Sequence, residues 1–351
     1  MSALGHLIAA RIAATGPITL ADYMAECLLH PVHGYYTTRE PFGTAGDFIT
    51  APEISQMFGE LLGLCLAQSW ADQGAAARFT LAELGPGRGT LMADILRATR
   101  GVAGFHARAD VVLVEASPRL RDLQRQTLGD HPARWVDHVD ALPDQPLFLV
   151  ANEFFDALPI RQFQRIATGW AERVVAVRDS ALGLALRPSA EPLPHDLPQG
   201  TIIETCRPGE QIAQSIAAQI ARAGGVALIV DYGDWQSRGD TFQALRAHQY
   251  HDVFAAPGSA DLTAHVAFGP LAAAARAAGA QATAMMTQGD LLQNLGIAAR
   301  AERLGAQMTG TARDAHIRAY HRLTHPDEMG SLFKTVAFYP PDQPSPPGFD
   351  L

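Results

Sequence analysis

The chain has 351 residues, a formal net charge of −9 and a sequence pI near 5.8; 48% of its residues are hydrophobic and 18% are charged. That length suits one large α/β domain or two ordinary ones, and the acidic balance argues against broad, sequence-independent binding to nucleic acid. Arginine carries nearly all the basic charge, because Lys334 is the single lysine. The three cysteines, Cys27, Cys65 and Cys206, are far apart and odd in number, which disfavours a disulfide framework or a cysteine zinc site and fits a reducing cytoplasm. The start has no cationic head followed by a long apolar core, so no signal peptide is expected, and no apolar run approaches the ~20 residues a spanning helix needs.

Residues 1–30 have helical spacing, with Leu4, Leu7, Ile8 and Ile12 on one stripe and Leu20, Tyr23 and Met24 on another. HPVHGYYTTREPFGTAGDFITAPE, rich in Gly, Pro and Thr, predicts a long loop or lid. Helical spacing returns from Glu53 to Trp70. FTLAEL (79–84) then predicts a short buried strand, followed by a glycine loop and a helix over 90–100. VVLVE (111–115), a helix over 118–128, ARWV (133–136) and PLFLVAN (146–152) continue the alternation. Such alternation implies right-handed crossovers in a parallel sheet with helices on both faces. Residues 161–204 break the rhythm: RQFQRI, WAERVVAVRD and LGLALRP alternate like antiparallel strands, which predicts an inserted β-meander. A helix over 207–223 leads into a fifth strand, VALIVDYG, and QATAMM (281–286) with KTVAFYP (334–340) suggests a closing strand pair. The proline-rich tail PPDQPSPPGFDL predicts an extended surface end. The expected fold is therefore α/β, a mostly parallel sheet preceded by a helical and lid segment over 1–75. The remaining domain, 76–351, carries the insertion 161–204.

LAELGPGRGTLMADIL (81–96) places Gly85, Gly87 and Gly89 between strand and helix. Backbone N–H groups and a positive dipole end there suit a nucleotide. A triphosphate loop needs G-x-x-x-x-G-K-[ST], and the only lysine is far away. A dinucleotide fingerprint is G-x-G-x-x-G/A, whereas here Thr90 holds the sixth position. Glu83, two residues before Gly85, would repel a pyrophosphate. It would suit S-adenosylmethionine, which carries an ammonium and a sulfonium and no phosphate. A tight strand–helix turn with no ligand is the bland alternative. Glu115 ends the second strand, where a carboxylate can accept ribose hydroxyls in either nucleotide, and Asp140 follows the third strand, placed to meet an adenine edge.

The fourth strand ends in ANEFFDALPIRQF (151–163). Methyl transfer is an in-line displacement, so a protein mainly positions the nucleophile and handles its proton. Asn152, Glu153 and Asp156, with Asp231 at the end of the fifth strand, suit a cationic nucleophile rich in N–H groups. A guanidinium fits, since carboxylates can hold it bidentately. Glu153 or Asp156 could instead cap the next helix, and Phe154 and Phe155 suit wall or core positions. The pairs His30–His33, His248–His251 and His321–His325 lack local third ligands, so no metal is expected.

GDFITAPEISQMFGELLG, LAELGPGRGTLMADILR, ANEFFDALPIRQF, VALIVDYG and HDVFAAPGSADLTAHVAF, in this order, resemble the MidA family. The resemblance runs from about Thr19 to Tyr339. It implies a class I methyltransferase fold, Rossmann-like, using S-adenosylmethionine. The mitochondrial member is a protein-arginine methyltransferase acting on a core subunit of respiratory complex I and supporting complex assembly. By resemblance, Glu83, Gly85, Pro86, Gly87, Gly89 and Glu115 are cofactor contacts. Gly46, Asp47 and Thr50 belong to the loop that closes over the cofactor, and Glu153 and Asp231 fall in family motifs near the substrate side. The expected catalytic residues are Glu153, Asp231 and Asp156, and Asn152 joins Asp140 among the expected cofactor contacts. The expected partner is a protein substrate, a complex I core subunit; neither nucleic acid nor membrane insertion is expected, and a homodimer is compatible with the sequence. A small-molecule methyltransferase of the same fold and a non-catalytic assembly chaperone remain alternatives, with a nicotinamide oxidoreductase the weakest.

Overall fold

The computed structural model describes residues 2–38, 50–246 and 249–349. Contacts group the chain into two compact units, one of residues 1–48, 156–209 and 236–267, the other of residues 49–155, 210–235 and 268–351. The units interleave along the chain, so compactness cuts it at different places from the expected division by role near residue 75.

The second unit is built on a mostly parallel sheet. Ala133–Val136, Ala109–Val114, Phe79–Leu84, Leu147–Asn152 and Gly225–Asp234 lie side by side in that order, all parallel. Phe333–Tyr339 pairs antiparallel to Gly225–Asp234, and Gln281–Ala282 and Met286–Thr287 pair antiparallel to Phe333–Tyr339. The expected 281–286 strand is thus two short pieces. In chain order the parallel strands stand third, second, first, fourth, fifth, so the winding reverses between the first and the fourth.

The inner strands are nearly continuous apolar runs because both faces are buried, whereas the edge strand Ala133–Val136 exposes Arg134. Phe79, Leu81, Phe148 and Val150 turn to one face and pack with Phe58 and Leu62 of the Gln56–Asp72 helix and Ile95 of the Thr90–Thr99 helix. The alternate residues Ala82, Leu84, Leu147 and Leu149 are buried on the opposite face. Helices Phe268–Ala277, Gln288–Asn294, Ile297–Gly305 and Gly310–Thr324, for which the sequence reading gave no expectation, complete this unit. The tail corrects another expectation. Phe349 is 8% exposed and joins the core, Cys65 Sγ donates to the Pro347 carbonyl, and Asn294 Nδ2 donates to the Gly348 carbonyl at 2.9 Å.

The first unit contains the expected meander. Arg161–Ile166, Gly169–Arg178, Ala181–Ser189 and Ile202–Thr205 form an antiparallel sheet, joined by Ile18–Thr19. Gln243–Arg246, Gln249–His251 and Asp261–Thr263 form a second, three-stranded sheet. Helix Leu20–Leu29 starts on a capping box in which Thr19 and Asp22 exchange side-chain and backbone bonds. Its Tyr23, Met24 and Cys27 pack with Ile160, Val175 and Leu262. Among the described residues no helix is long and apolar enough to cross a membrane.

Candidate active site

Where the winding of a parallel sheet reverses, the loops leaving the two neighbouring strands diverge and open a crevice at their C-terminal ends. Here those strands are Phe79–Leu84 and Leu147–Asn152. The glycine loop leaves the first and the Asn152–Phe155 turn leaves the second. They approach closely: a Cβ added to Gly85 would lie 2.9 Å from Cδ2 of Phe154. Gly85 (φ +58°), Gly87 (φ +50°) and Gly89 (φ +82°) all adopt the left-handed region, which glycine enters without steric cost. The Gly85 N–H donates to the Val114 carbonyl at 3.0 Å, and the Gly89 N–H to the Pro86 carbonyl at 2.7 Å. The helix then starts at Thr90 with no side chain capping it, which leaves room for a ligand at its N-terminus.

Glu83 lies beneath this loop, 3% exposed. The Met92 N–H donates to its carboxylate, while Oε2 has no hydrogen-bond partner among the described residues. Burial pushes its carboxyl up to about 8, opposed by the Met92 N–H and reinforced by Asp94 and Glu115. A desolvated acid with an orphaned oxygen is a ready partner for a cation. It is a poor partner for a phosphate. Glu115, buried at the end of the second strand, accepts the Ser117 N–H on Oε1 at 2.8 Å and the Gln124 amide on Oε2 at 3.1 Å. Burial raises its carboxyl above the usual range, against the bonds from Ser117 and Gln124. Asp140 lies after the third strand in the exposed Val139–Ala141 turn.

The fourth strand delivers the remaining acids differently. Asn152 is buried; its Nδ2 donates to Glu153 Oε1 at 3.2 Å, and its Oδ1 has no partner among the described residues. Glu153 adopts φ +51°, a conformation that a non-glycine residue adopts at a cost. Its N–H donates to the Val230 carbonyl, and its Oε1 also accepts the Ala51 N–H at 3.3 Å. Asp231 is fully buried; one oxygen accepts the Phe155 N–H at 3.0 Å and the other the Tyr232 N–H at 2.9 Å. It therefore pins the turn that carries Glu153 and Phe154. Phe154 and Phe155 pack edge to face at 5.3 Å. Asp156, also buried, falls in the other compact unit, where its carbonyl accepts the Ala264 N–H and its charge acts on Tyr36.

Thr50 precedes the short Ala51–Ile54 helix at its N-cap position. Glu53 in that helix accepts the Thr90 hydroxyl, a link from this segment to the glycine loop that the sequence did not suggest. Gly46 and Asp47 lie outside the described residues. Among the described residues no group of three or more His, Cys, Asp or Glu could hold a metal. The chemistry of the donor set, with its orphaned carboxylate oxygen and a backbone approach that a Cβ would block, fits S-adenosylmethionine.

The comparisons with known proteins agree. A family described as S-adenosyl-L-methionine-dependent methyltransferases matches residues 61–286. The zebrafish (Danio rerio) protein arginine methyltransferase NDUFAF7, mitochondrial, is 39% identical over 95% of this chain and 86% of its own length. The human (Homo sapiens) protein of that name is 37% identical over 96% of this chain and 83% of its own. A crystal structure from Burkholderia thailandensis bound to S-adenosyl-homocysteine superposes with a TM-score of 0.85 at 31% identity, covering 99% of this chain and 93% of that one. With the strand order and the glycine loop, these likenesses establish that the chain belongs to the MidA family of S-adenosylmethionine-dependent methyltransferases and has the class I fold.

Proposed function

We propose that this enzyme methylates an arginine in a protein, that the protein is a core subunit of respiratory complex I, and that the modification supports assembly of the complex. The observation that carries the reading is the likeness, over nearly the whole chain, to proteins named protein arginine methyltransferase. The complex I target rests on the family resemblance read from the sequence blocks, and we place the enzyme in the cytoplasm, acting without metal.

In this reading Glu83 meets the cofactor's ammonium, Glu115 its ribose hydroxyls and Asp140 its adenine edge. Gly85, Pro86, Gly87 and Gly89 line its methionine part. Gly46, Asp47 and Thr50 close over it and exclude water. A guanidinium nitrogen attacks the sulfonium methyl carbon; the C–S bond breaks, S-adenosylhomocysteine leaves and an N–H proton is lost. Glu153 holds the guanidinium and takes the proton. The buried Oδ1 of Asn152 is available to accept a second guanidinium N–H. Asp231 supports these groups by fixing the 153–155 turn, and Asp156 is the third acid in the proposed catalytic assignment. Mass spectrometry of complex I subunits from cells with and without the gene tests the reading. Loss of one methylarginine is expected; an unchanged methylarginine inventory overturns it.

A further inference from the structure

Gln124 belongs to the Pro118–Leu128 helix and is fully buried. Three polar atoms surround its side chain. Nε2 donates to the Gly87 carbonyl at 2.8 Å and to Glu115 Oε2 at 3.1 Å, and Oε1 accepts the Trp135 indole N–H at 2.7 Å. An indole nitrogen only donates, so the amide oxygen must face Trp135. That choice fixes the amide against flipping and aims both of its N–H bonds at the glycine loop and Glu115. The inventory closes: one acceptor and two donors, all used. Trp135 itself is held between sheet and surface, with the Arg125 guanidinium 4.7 Å from its ring centroid. The helix backs directly onto the loop, since a Cβ on Gly89 would meet Gln124 Cα at 3.4 Å.

We infer that Gln124 is a positioning residue for the cofactor, oriented by Trp135: it ties the glycine loop and the Glu115 carboxylate to one another before the cofactor arrives. The inference rests on the reading of Glu115 as the ribose acceptor. Glu115 accepts the Ser117 N–H on Oε1 and the Gln124 amide on Oε2, and the Ala116 N–H also bonds to its carboxylate. A carboxylate has about four acceptor sites, so room is left for a ligand hydroxyl, and these donors set the direction in which it is offered. Without the Gln124 amide, Oε2 would be free to rotate, and Gly87 would lose the bond that holds its carbonyl. The cofactor would then bear the ordering that Gln124 now supplies in advance.

A double-mutant cycle read by calorimetric titration with S-adenosylhomocysteine tests this, with ligand-free melting temperatures to confirm that each variant is folded. Glu115→Gln and Gln124→Leu should each weaken binding on the order of tenfold. Because Gln124 acts partly through Glu115, the double variant should lose clearly less affinity than the product of the two single losses. A residue that merely filled the core would give losses that multiply, and that result overturns the inference. Wild-type affinity in Gln124→Leu, with Glu115→Gln impaired, overturns the inference alone. Wild-type affinity in Glu115→Gln overturns the ribose reading and the inference with it. Should Gln124→Leu fail to fold, Trp135→Phe carries the same cycle. It frees the amide to flip while keeping an aromatic ring, and its loss should likewise combine with that of Glu115→Gln to less than their product.

Discussion

Replacing Glu83 by Gln should strengthen the ligand-free fold at high pH and weaken cofactor binding. The carboxyl is pushed up to about 8 from an ordinary 4.5, first by burial. Between those values the native protein holds a proton that the unfolded chain has released. Glu83 therefore favours folding below about pH 4.5, and that contribution is lost as pH rises through about 8. Between pH 6 and pH 9 the loss comes to about 3 kcal/mol, from 1.36 kcal/mol per unit of pH integrated over the window in which native and unfolded protonation differ. Glutamine does not titrate. It keeps an acceptor for the Met92 N–H and puts an NH2 where Oε2 has no partner, at a pH-independent cost of about 1–3 kcal/mol. Glu83→Gln should thus be no more stable than wild type at pH 6, and should gain about 3 kcal/mol on it by pH 9. Affinity for S-adenosylhomocysteine should move the other way, because an amide cannot neutralise the ligand's ammonium. Chemical denaturation of the ligand-free proteins at both pH values, with calorimetric titration of the ligand, reads both effects. Parallel pH profiles for the two proteins would refute the assignment of the buried proton to Glu83, and unchanged affinity would refute its contact with the ammonium.

Glu153→Gln should abolish methyl transfer while leaving S-adenosylhomocysteine affinity within about threefold, a gap under 1 kcal/mol; full turnover in a methylation assay would remove Glu153 from the proton's path. Asp231→Asn places an NH2 against the Phe155 or Tyr232 N–H in a fully buried site. It should lower stability by about 2–3 kcal/mol in denaturant titration and reduce activity with it. Unchanged stability would mean that the turn does not depend on Asp231. Gly85→Ala puts a methyl group within 2.9 Å of Phe154 and a non-glycine residue at φ +58°. Loss of S-adenosylhomocysteine binding is expected, as for the β-branched Gly87→Val; wild-type affinity in a folded variant contradicts the close approach. Phe349→Ala should cost about 3 kcal/mol as a core truncation, whereas an effect below 0.5 kcal/mol, normal for a surface residue, would mean the tail is undocked.

The parallel sheet was legible because its inner strands are buried on both faces and hence largely apolar, while the edge strand Ala133–Val136 is only partly buried. FTLAEL and ARWV coincide with Phe79–Leu84 and Ala133–Val136. The meander was legible from the mixing of apolar and polar residues along its strands, although burial along Gly169–Arg178 does not itself alternate strictly. The 281–286 segment does pair with Phe333–Tyr339 as expected, but in two short pieces; neither that break nor the docked Phe349 of the tail leaves a periodic signal. The helices after Phe268 went unread where alanine and arginine dominate and the apolar stripe is thin. Gly310–Thr324, for instance, buries only Leu323.

The acids show where reading by residue type stops. Glu83, Glu115, Glu153 and Asp231 all stand at the ends of parallel strands, so position in sequence marks them alike. Their hydrogen bonds separate them. Asp231 accepts the Phe155 and Tyr232 N–H groups and is thereby tied to the turn that carries Glu153. Glu83 has an oxygen with no partner among the described residues, and the donors on Glu115 leave its carboxylate an acceptor site, so both can still receive a ligand. Glu153 is bound through Oε1 by Asn152 and Ala51 from a left-handed backbone that only its neighbours can impose. That backbone strain, set by pairing of its N–H with Val230 and by the Asp231 clamp one residue beyond Phe154, is a long-range property of the folded sheet. No local pattern encodes it. For the same reason the sequence could nominate the acids of the crevice but not divide them into those that grip a ligand and those that hold the grip in place.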